Sequence, residues 1–369
     1  MDYSLTQEQK MILDSVDRML SSDYDFHGRC QRLSKSIRYQ QSVWDQFSQL
    51  GLFALPMPSE YGGFGASIKD VCVLMEPMGK FLVTEPFAYC YLGTSYLLKY
   101  ASSAQKSDYL PRIASGSCRV VVALPPVCDL SFMPSHSGVK AKKLANGKWS
   151  LSGQLHMVYG ADSATDVIVF AQFEKKTVPF IVPMKLCDQQ SFALIDDTGV
   201  GHLTLKNVKL DDAHCLGFDH QALDRLTILA IALLSAEAVG IMQELNVKTK
   251  QYLQNREQFG QPLSQFQLLQ HRLVEMYVQE ELARTMSSTL AIAAEELSSS
   301  QELMPLAYTT KMKINDYAQY IGEQSVQLHG GMGVSDEMDI AHYFRRLTCI
   351  RHQLGDQRYC LSKLLDLQS

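Results

Sequence analysis

The stretch SVQLHGGMGV, residues 325–334, is where the reading of this chain turns. A glycine inside a helix costs roughly 1 kcal/mol against alanine. Gly330 and Gly331, side by side at the end of a helical run, therefore mark a turn or a place where another molecule approaches bare backbone. Taken alone, Gln327 to Gly331 reads as a plain interhelical turn.

Working outward, the chain runs helix, then strand, then helix. From about residue 217 onward the pattern is helical, in four long segments at 220–255, 264–299, 304–328 and 336–366. Leu226, Leu229, Leu233 and Val239 make the broad apolar stripe of an antiparallel bundle. Between about 117 and 212 the period changes to short β-type runs: CRVVVALPP, GVKAKKL, KWSLSGQLHMVYG, TDVIVFAQF, TVPFIVPM and GHLTLKNVKL. They predict a compact β-domain of six to eight strands. The first 115 residues alternate helical patterns with breakers. SLTQEQKMILDSVDRML opens with Ser4 and a glutamine three positions on, a capping-box pattern, and PMPSEYGGFGAS is a Pro/Gly-rich loop. The expected division is a helical N-domain over 1–115, a β-domain over 116–216 and a helical bundle over 217–369.

Bulk properties narrow the class. With 369 residues, 46% apolar and 20% charged, the chain is an ordinary globular protein of two or three domains. The amphipathic, acidic start MDYSLTQEQKMILD is unlike a signal or transit peptide. The most apolar run, 226–243, contains Ser235 and Glu237 and reads as a buried helix rather than a membrane span. A net charge of −5 without a Lys/Arg block argues against nucleic acid. Nine scattered cysteines without a C-x-x-C pair argue against a zinc site and for reduced thiols. The expectation is a soluble cytoplasmic protein with no nucleic-acid or membrane partner and no metal.

HGGMG is the kind of loop that forms an oxyanion hole in some lipases, but that needs a G-x-S-x-G turn, which is absent. It does not follow a strand, so it is no dinucleotide fingerprint. A second stretch, REQFGQP at 256–262, changes the weight of the first. An arginine, an aromatic, a glutamine and an open Gly-Gly backbone together suit a pyrophosphate and a stacked adenine. The bland alternative is a helix-terminal arginine on a carbonyl beside a buried phenylalanine.

PSEYGGFGAS, LPRIASG, REQFGQPLSQFQLLQHRLVEM and QSVQLHGGMGV, in this order and spacing, resemble the acyl-CoA dehydrogenase family over nearly the whole chain. SAEAVGIM, FQLLQHR, AHYFRRLT and LGDQRYCL look more narrowly like the small subunit of pimeloyl-CoA dehydrogenase and related paired enzymes. The resemblance implies an α+β multidomain fold: N-terminal helices, a β-barrel-like middle domain and a C-terminal four-helix bundle. It also implies FAD as cofactor, an acyl-CoA or acyl-carrier-protein thioester as substrate, and electron-transfer flavoprotein as electron acceptor. By resemblance, Arg256, Phe259, Gln327, Gly330 and Gly331 contact the FAD pyrophosphate and adenine end, usually that of a neighbouring subunit.

The family reaction needs a carboxylate to take the α-proton, and a glutamate in an apolar pocket has its pKa raised toward neutrality. The two places where the family keeps this base hold His352, within LTCIRHQLGD, and Ala230. Glu237 lies seven residues beyond Ala230, two turns along the same helix face, and is the candidate substitute base or else a structural group. His352 reads as a solvated histidine and Asp356 as a cap of the following helix. The β-domain departs too. LPPVCDLSFMPSHSG replaces an expected Thr-Glu-Pro-Gly-Ala-Gly-Ser-Asp stretch, Met157 and Tyr159 stand where relatives carry a Trp-x-Thr beside the isoalloxazine, and Ile231 replaces a CoA-side arginine. The elements that reach a neighbour's FAD are kept while those that hold the chain's own flavin and proton are lost. Three readings follow: a subunit completing a partner's FAD site in a heterotetramer, a homo-oligomeric enzyme using Glu237, or a flavin-free scaffold.

Overall fold

The computed structural model describes residues 5–124, 138–296 and 299–368. The chain runs as N-terminal helices, a middle β-sheet region and a C-terminal helical region. The stretch 125–137, which holds most of the departure from the family's Thr-Glu-Pro-Gly pattern, lies outside the described residues. So does Ser4. The first helix, α1 (Gln7–Asp23), instead carries its capping box on Thr6 and Gln9, each side chain bonding the other's backbone N–H.

Contacts group the chain into two compact units, the first comprising 1–35, 68–83 and 231–369, the second 36–67 and 84–230. The first unit holds α1, α2 (Phe26–Ser34), α4 (Ile68–Lys80), most of α7 (Ala222–Asn255), α8 (Gln267–Glu296), α9 (Ser300–His329), α10 (Asp339–His352) and α11 (Gln357–Gln368). Its core is built on α7. Leu234, Ala238, Ile241 and Leu245 recur at helical spacing and are buried with Met276 and Ala283 of α8, Ile314, Ala318 and Ile321 of α9, and Leu347 and Ile350 of α10. Each fully buried aliphatic side chain contributes about 1.5–3 kcal/mol. Among the described residues α7 is the one helix long and apolar enough to cross a membrane, and 83% of its apolar window is buried in the protein, as in a core helix. The helices α4 and α7 cross at contact distance. A Cβ at Gly79 would lie 2.1 Å from the Glu237 carbonyl oxygen, and one at Gly240 would lie 1.9 Å from that of Glu76. Glycine at both positions is what lets the two backbones meet.

The expected fourth long segment, 336–366, is two helices. Leu354 and Gly355 take positive φ of 58° and 107°, which stops α10. Asp356 then accepts the Tyr359 N–H at 2.9 Å and starts α11, as a cap does. The buried Lys311 of α9 fixes this corner, donating to the Ile350 carbonyl at 2.8 Å, the Arg351 carbonyl at 3.3 Å and Asn315 Oδ1 at 2.6 Å.

The second unit holds α3 (Gln41–Gln49), α5 (Phe87–Tyr100), α6 (Ser103–Ala114) and a seven-stranded sheet. The strands are β1 (Val120–Val122), β2 (Val139–Lys143), β3 (Trp149–Tyr159), β4 (Asp166–Phe173), β5 (Lys176–Pro183), β6 (Asp188–Ala193) and β7 (Gly199–Leu210). Their order is β1-β4-β2-β3-β7-β6, with β5 paired to β4. Most strands coincide with the alternating runs of the sequence, whereas β6, DQQSFA, is mostly exposed and polar and is set by its pairing with β7. Trp44, Phe47, Phe53 and Phe87 form the aromatic core of this unit, and Trp44 Nε1 donates to the Gly116 carbonyl at 3.0 Å.

Candidate FAD-contacting corner

The corner begins where α7 ends. The Arg256 N–H closes the last turn on the Tyr252 carbonyl at 2.9 Å, and the chain reverses in a two-residue hairpin, with β8 (Glu257–Gln258) against β9 (Gln261–Pro262). Phe259 and Gly260 form its tip with φ of 57° and 82°. Two successive left-handed residues are what a tight hairpin of this hand requires. Glycine takes that conformation freely, but phenylalanine does so against a steric penalty. The Phe259 ring is 89% exposed, touching Phe266 edge-on at 6.1 Å between centroids. A bulky aromatic held in a strained turn and turned to solvent points to a role outside its own core. Arg256 is exposed as well, and among the described residues it makes no ion pair.

The Gly-Gly turn lies at the end of α9. Gly330 has φ 61° and ψ −142°, a combination essentially confined to glycine, and it ends the helix. A Cβ at Gly330 or Gly331 would meet nothing within 4 Å, so both backbones face open space. Gln327 is exposed one turn earlier. Behind this surface Tyr252 joins the two motifs. Its hydroxyl donates to the His329 carbonyl at 3.4 Å and its ring packs on the His329 imidazole at 4.3 Å. His329 in turn donates from Nδ1 to the Ser325 carbonyl at 2.8 Å, and burial pushes its pKa below the ordinary histidine value. The hairpin after α7 and the turn after α9, remote in sequence, are thus locked by one tyrosine–histidine contact. Neither Tyr252 nor His329 was singled out from the sequence. The signal for both is position, since His329 lies inside HGGMG and Tyr252 four residues before Arg256.

Glu237 lies elsewhere in the same unit. Arg346 grips it with both arms, Nε to Oε1 at 2.5 Å and Nη2 to Oε2 at 2.8 Å. Both residues are buried, at 4% and 7% exposure, so the pair forms a desolvated, bidentate ion pair. Neither Ala230 nor Ile231 has a polar side chain, and both are buried. His352 is exposed at the C-terminal end of α10.

In the second unit, Met157 sits in an irregularity of β3 between Leu155 and Val158, with φ 56°. Its N–H donates to His202 Nδ1 at 3.3 Å. Burial, and then the His156 ring 4.8 Å away, lower the His202 pKa, keeping Nδ1 free to accept. The Tyr159 ring stacks on Tyr89, with centroids 5.2 Å apart and planes at 16°. One ring face at that position is therefore already covered from within the unit.

Comparison with known proteins agrees with this architecture. The family models "Acyl-CoA dehydrogenase, N-terminal domain" and "Acyl-CoA dehydrogenase, C-terminal domain" match residues 6–117 and 221–359. A probable acyl-CoA dehydrogenase, YngJ, of Bacillus subtilis is 26% identical, over 94% of this chain and 93% of that protein. A variant of the Tcur3481-Tcur3483 steroid ACAD superposes with a TM-score of 0.86 at 25% identity, covering 98% of each chain. The ChsE4-ChsE5 complex from Mycobacterium tuberculosis gives a TM-score of 0.89 at 20% identity, over 99% of this chain and 98% of that one.

Proposed function

Because the chain belongs to the acyl-CoA dehydrogenase family, whose members are FAD-dependent CH–CH oxidoreductases, we propose that it is one subunit of a paired enzyme and completes a neighbouring subunit's FAD site. The observation that carries this reading is the corner itself. Arg256, Phe259, Gln327, Gly330 and Gly331 are all exposed, braced from behind through Tyr252 and His329, and the two glycines face open space. Such a surface fits the pyrophosphate and adenine end of FAD. The Arg256 guanidinium would neutralise phosphate charge, the bare backbone of Gly330 and Gly331 admits close approach, and Phe259 offers a free ring face. Bound FAD supplies the acceptor for hydride leaving the β-carbon of an acyl thioester.

The same reading gives Glu237 a structural role. With both carboxylate oxygens bonded to Arg346, it serves as the counter-ion of a buried guanidinium, and the α-proton falls to a base on the partner chain. Met157 and Tyr159, engaged with His202 and Tyr89, fit a middle region that does not cradle a flavin of its own. The paired chains named for the two solved structures are in keeping with a heteromeric enzyme. The eight cysteines among the described residues form no disulfide, in keeping with the cytoplasm. The test is Arg256→Ala in the co-purified complex. Loss of bound FAD with the complex intact is the expected result, and full retention of FAD contradicts the proposal.

A further inference from the structure

The irregularity of β3 has a bulge at its centre. Leu155 pairs with Leu203 and Val158 with Gly201, so His156 and Met157 together oppose the single residue His202 of β7. Two residues set against one form a β-bulge, which takes a backbone N–H out of the ladder. Here that N–H belongs to Met157, and a side chain receives it: it donates to His202 Nδ1 at 3.3 Å. Met157 also holds φ at 56°, a conformation that strains a non-glycine residue and persists only where its surroundings impose it. The His202 ring packs on the His156 ring, edge-on at 4.8 Å between centroids, and on the Phe192 ring of β6 at the same spacing.

We propose that His202 is a proton-operated latch on this bulge: the neutral ring holds Met157 in place, and the protonated ring releases it. A neutral imidazole accepts a hydrogen bond at one nitrogen, whereas a protonated one carries a hydrogen on both and accepts none. Protonation therefore sets two N–H groups against each other and leaves the left-handed Met157 without its tether. The ring is half-buried, so solvent protons reach it. His156 Nδ1 is buried and makes no hydrogen bond, so an acceptor for the new N–H stands on the neighbouring ring. Burial opposes the charged form of His202 first, and the His156 ring opposes it second. On β6 its paired residue, Gln190, is uncharged, and Asp188 two residues along is held by Lys206 of β7 at 2.6 Å. The latch thus opens below the ordinary histidine value of about 6.5. The stability it confers is complete above that value and is lost as pH falls through the lower folded-state value. Tyr159, two residues beyond Met157, stacks on Tyr89 of α5, so a change at the bulge reaches that ring pair. The inference concerns β3 and its neighbours alone and holds whether or not the FAD reading does.

Amide hydrogen exchange on the full chain, labelled with nitrogen-15 methionine, tests it. The Met157 signal is identified by its loss in Met157→Leu, and the His202 titration is followed through its ring resonances. Between about pH 7.5 and pH 5, protection of the Met157 amide should fall by ~10-fold, the equivalent of one net hydrogen bond. The fall should share the midpoint of His202 itself. His202→Asn keeps an oxygen acceptor near the place of Nδ1 but takes up no proton in this range, so Met157 protection should stay level in that variant. Wild-type protection that is flat, or that changes at a midpoint other than that of His202, overturns the inference. So does a His202→Asn chain whose Met157 amide loses protection as the wild type does.

Discussion

Glu237→Gln separates a structural glutamate from a catalytic one. The substitution leaves Arg346 charged and buried with one oxygen acceptor in place of a bidentate carboxylate. Breaking a buried pair by changing one partner costs about 3–5 kcal/mol. At roughly 2–4 °C per kcal/mol, melting should fall by on the order of 6–20 °C. The assembled enzyme should nevertheless keep its turnover at a temperature where it remains folded. Replacing both partners, Glu237→Leu with Arg346→Met, should recover most of the loss, since well-packed apolar groups substitute for buried pairs at little cost. Differential scanning calorimetry and steady-state rates on the same preparations make the comparison. Unchanged melting with turnover reduced ~1000-fold or more would refute the reasoning, because a general base costs rate on this scale and not stability.

Other consequences are equally concrete. Burial lowers the Lys311 pKa to about 7 in the folded chain. Between that value and the ordinary lysine value the unfolded chain binds the extra proton, so this group's contribution to stability rises with pH across the window. The urea stability of wild type relative to Lys311→Met should therefore improve from pH 7 to pH 10, and a flat difference counts against it. Gly331→Ala should fold normally, because a Cβ there meets nothing within 4 Å, yet lower FAD content in the complex. Unchanged FAD content would mean the turn is not the contact. Gly79→Ala should destabilise by about 2 kcal/mol or more, its Cβ lying 2.1 Å from a backbone oxygen that cannot move without parting α4 from α7. A neutral result in thermal melts would show that the crossing is looser than described.

Much of the candidate corner's local geometry was legible because it is written in glycine and in contiguous motifs. Gly330–Gly331 and Phe259–Gly260 break helices at positions that packing alone would not choose. The helix–strand–helix order was equally plain from the change in period. What stayed hidden depends on partners distant in sequence. The glutamate on α7 stands out, but the arginine that engages it lies 109 residues away, and no local pattern links the two. The strand β6 lacks apolar alternation because its register comes from β7. The break between α10 and α11 was signalled by Leu354-Gly355-Asp356, yet apolar periodicity on both sides made the segment read as one helix. The capping box moved from Ser4 to Thr6 because two hydroxyl residues each precede a glutamine by three positions.

The account rests most on where the FAD sits, and a visible absorption spectrum addresses that directly. The chain purified alone should be colourless in the flavin region, and mixing it with its partner subunit and FAD should yield a complex whose flavin band disappears with Arg256→Ala. A flavin band near one FAD per chain on the protein purified alone, undiminished by Arg256→Ala, would contradict it.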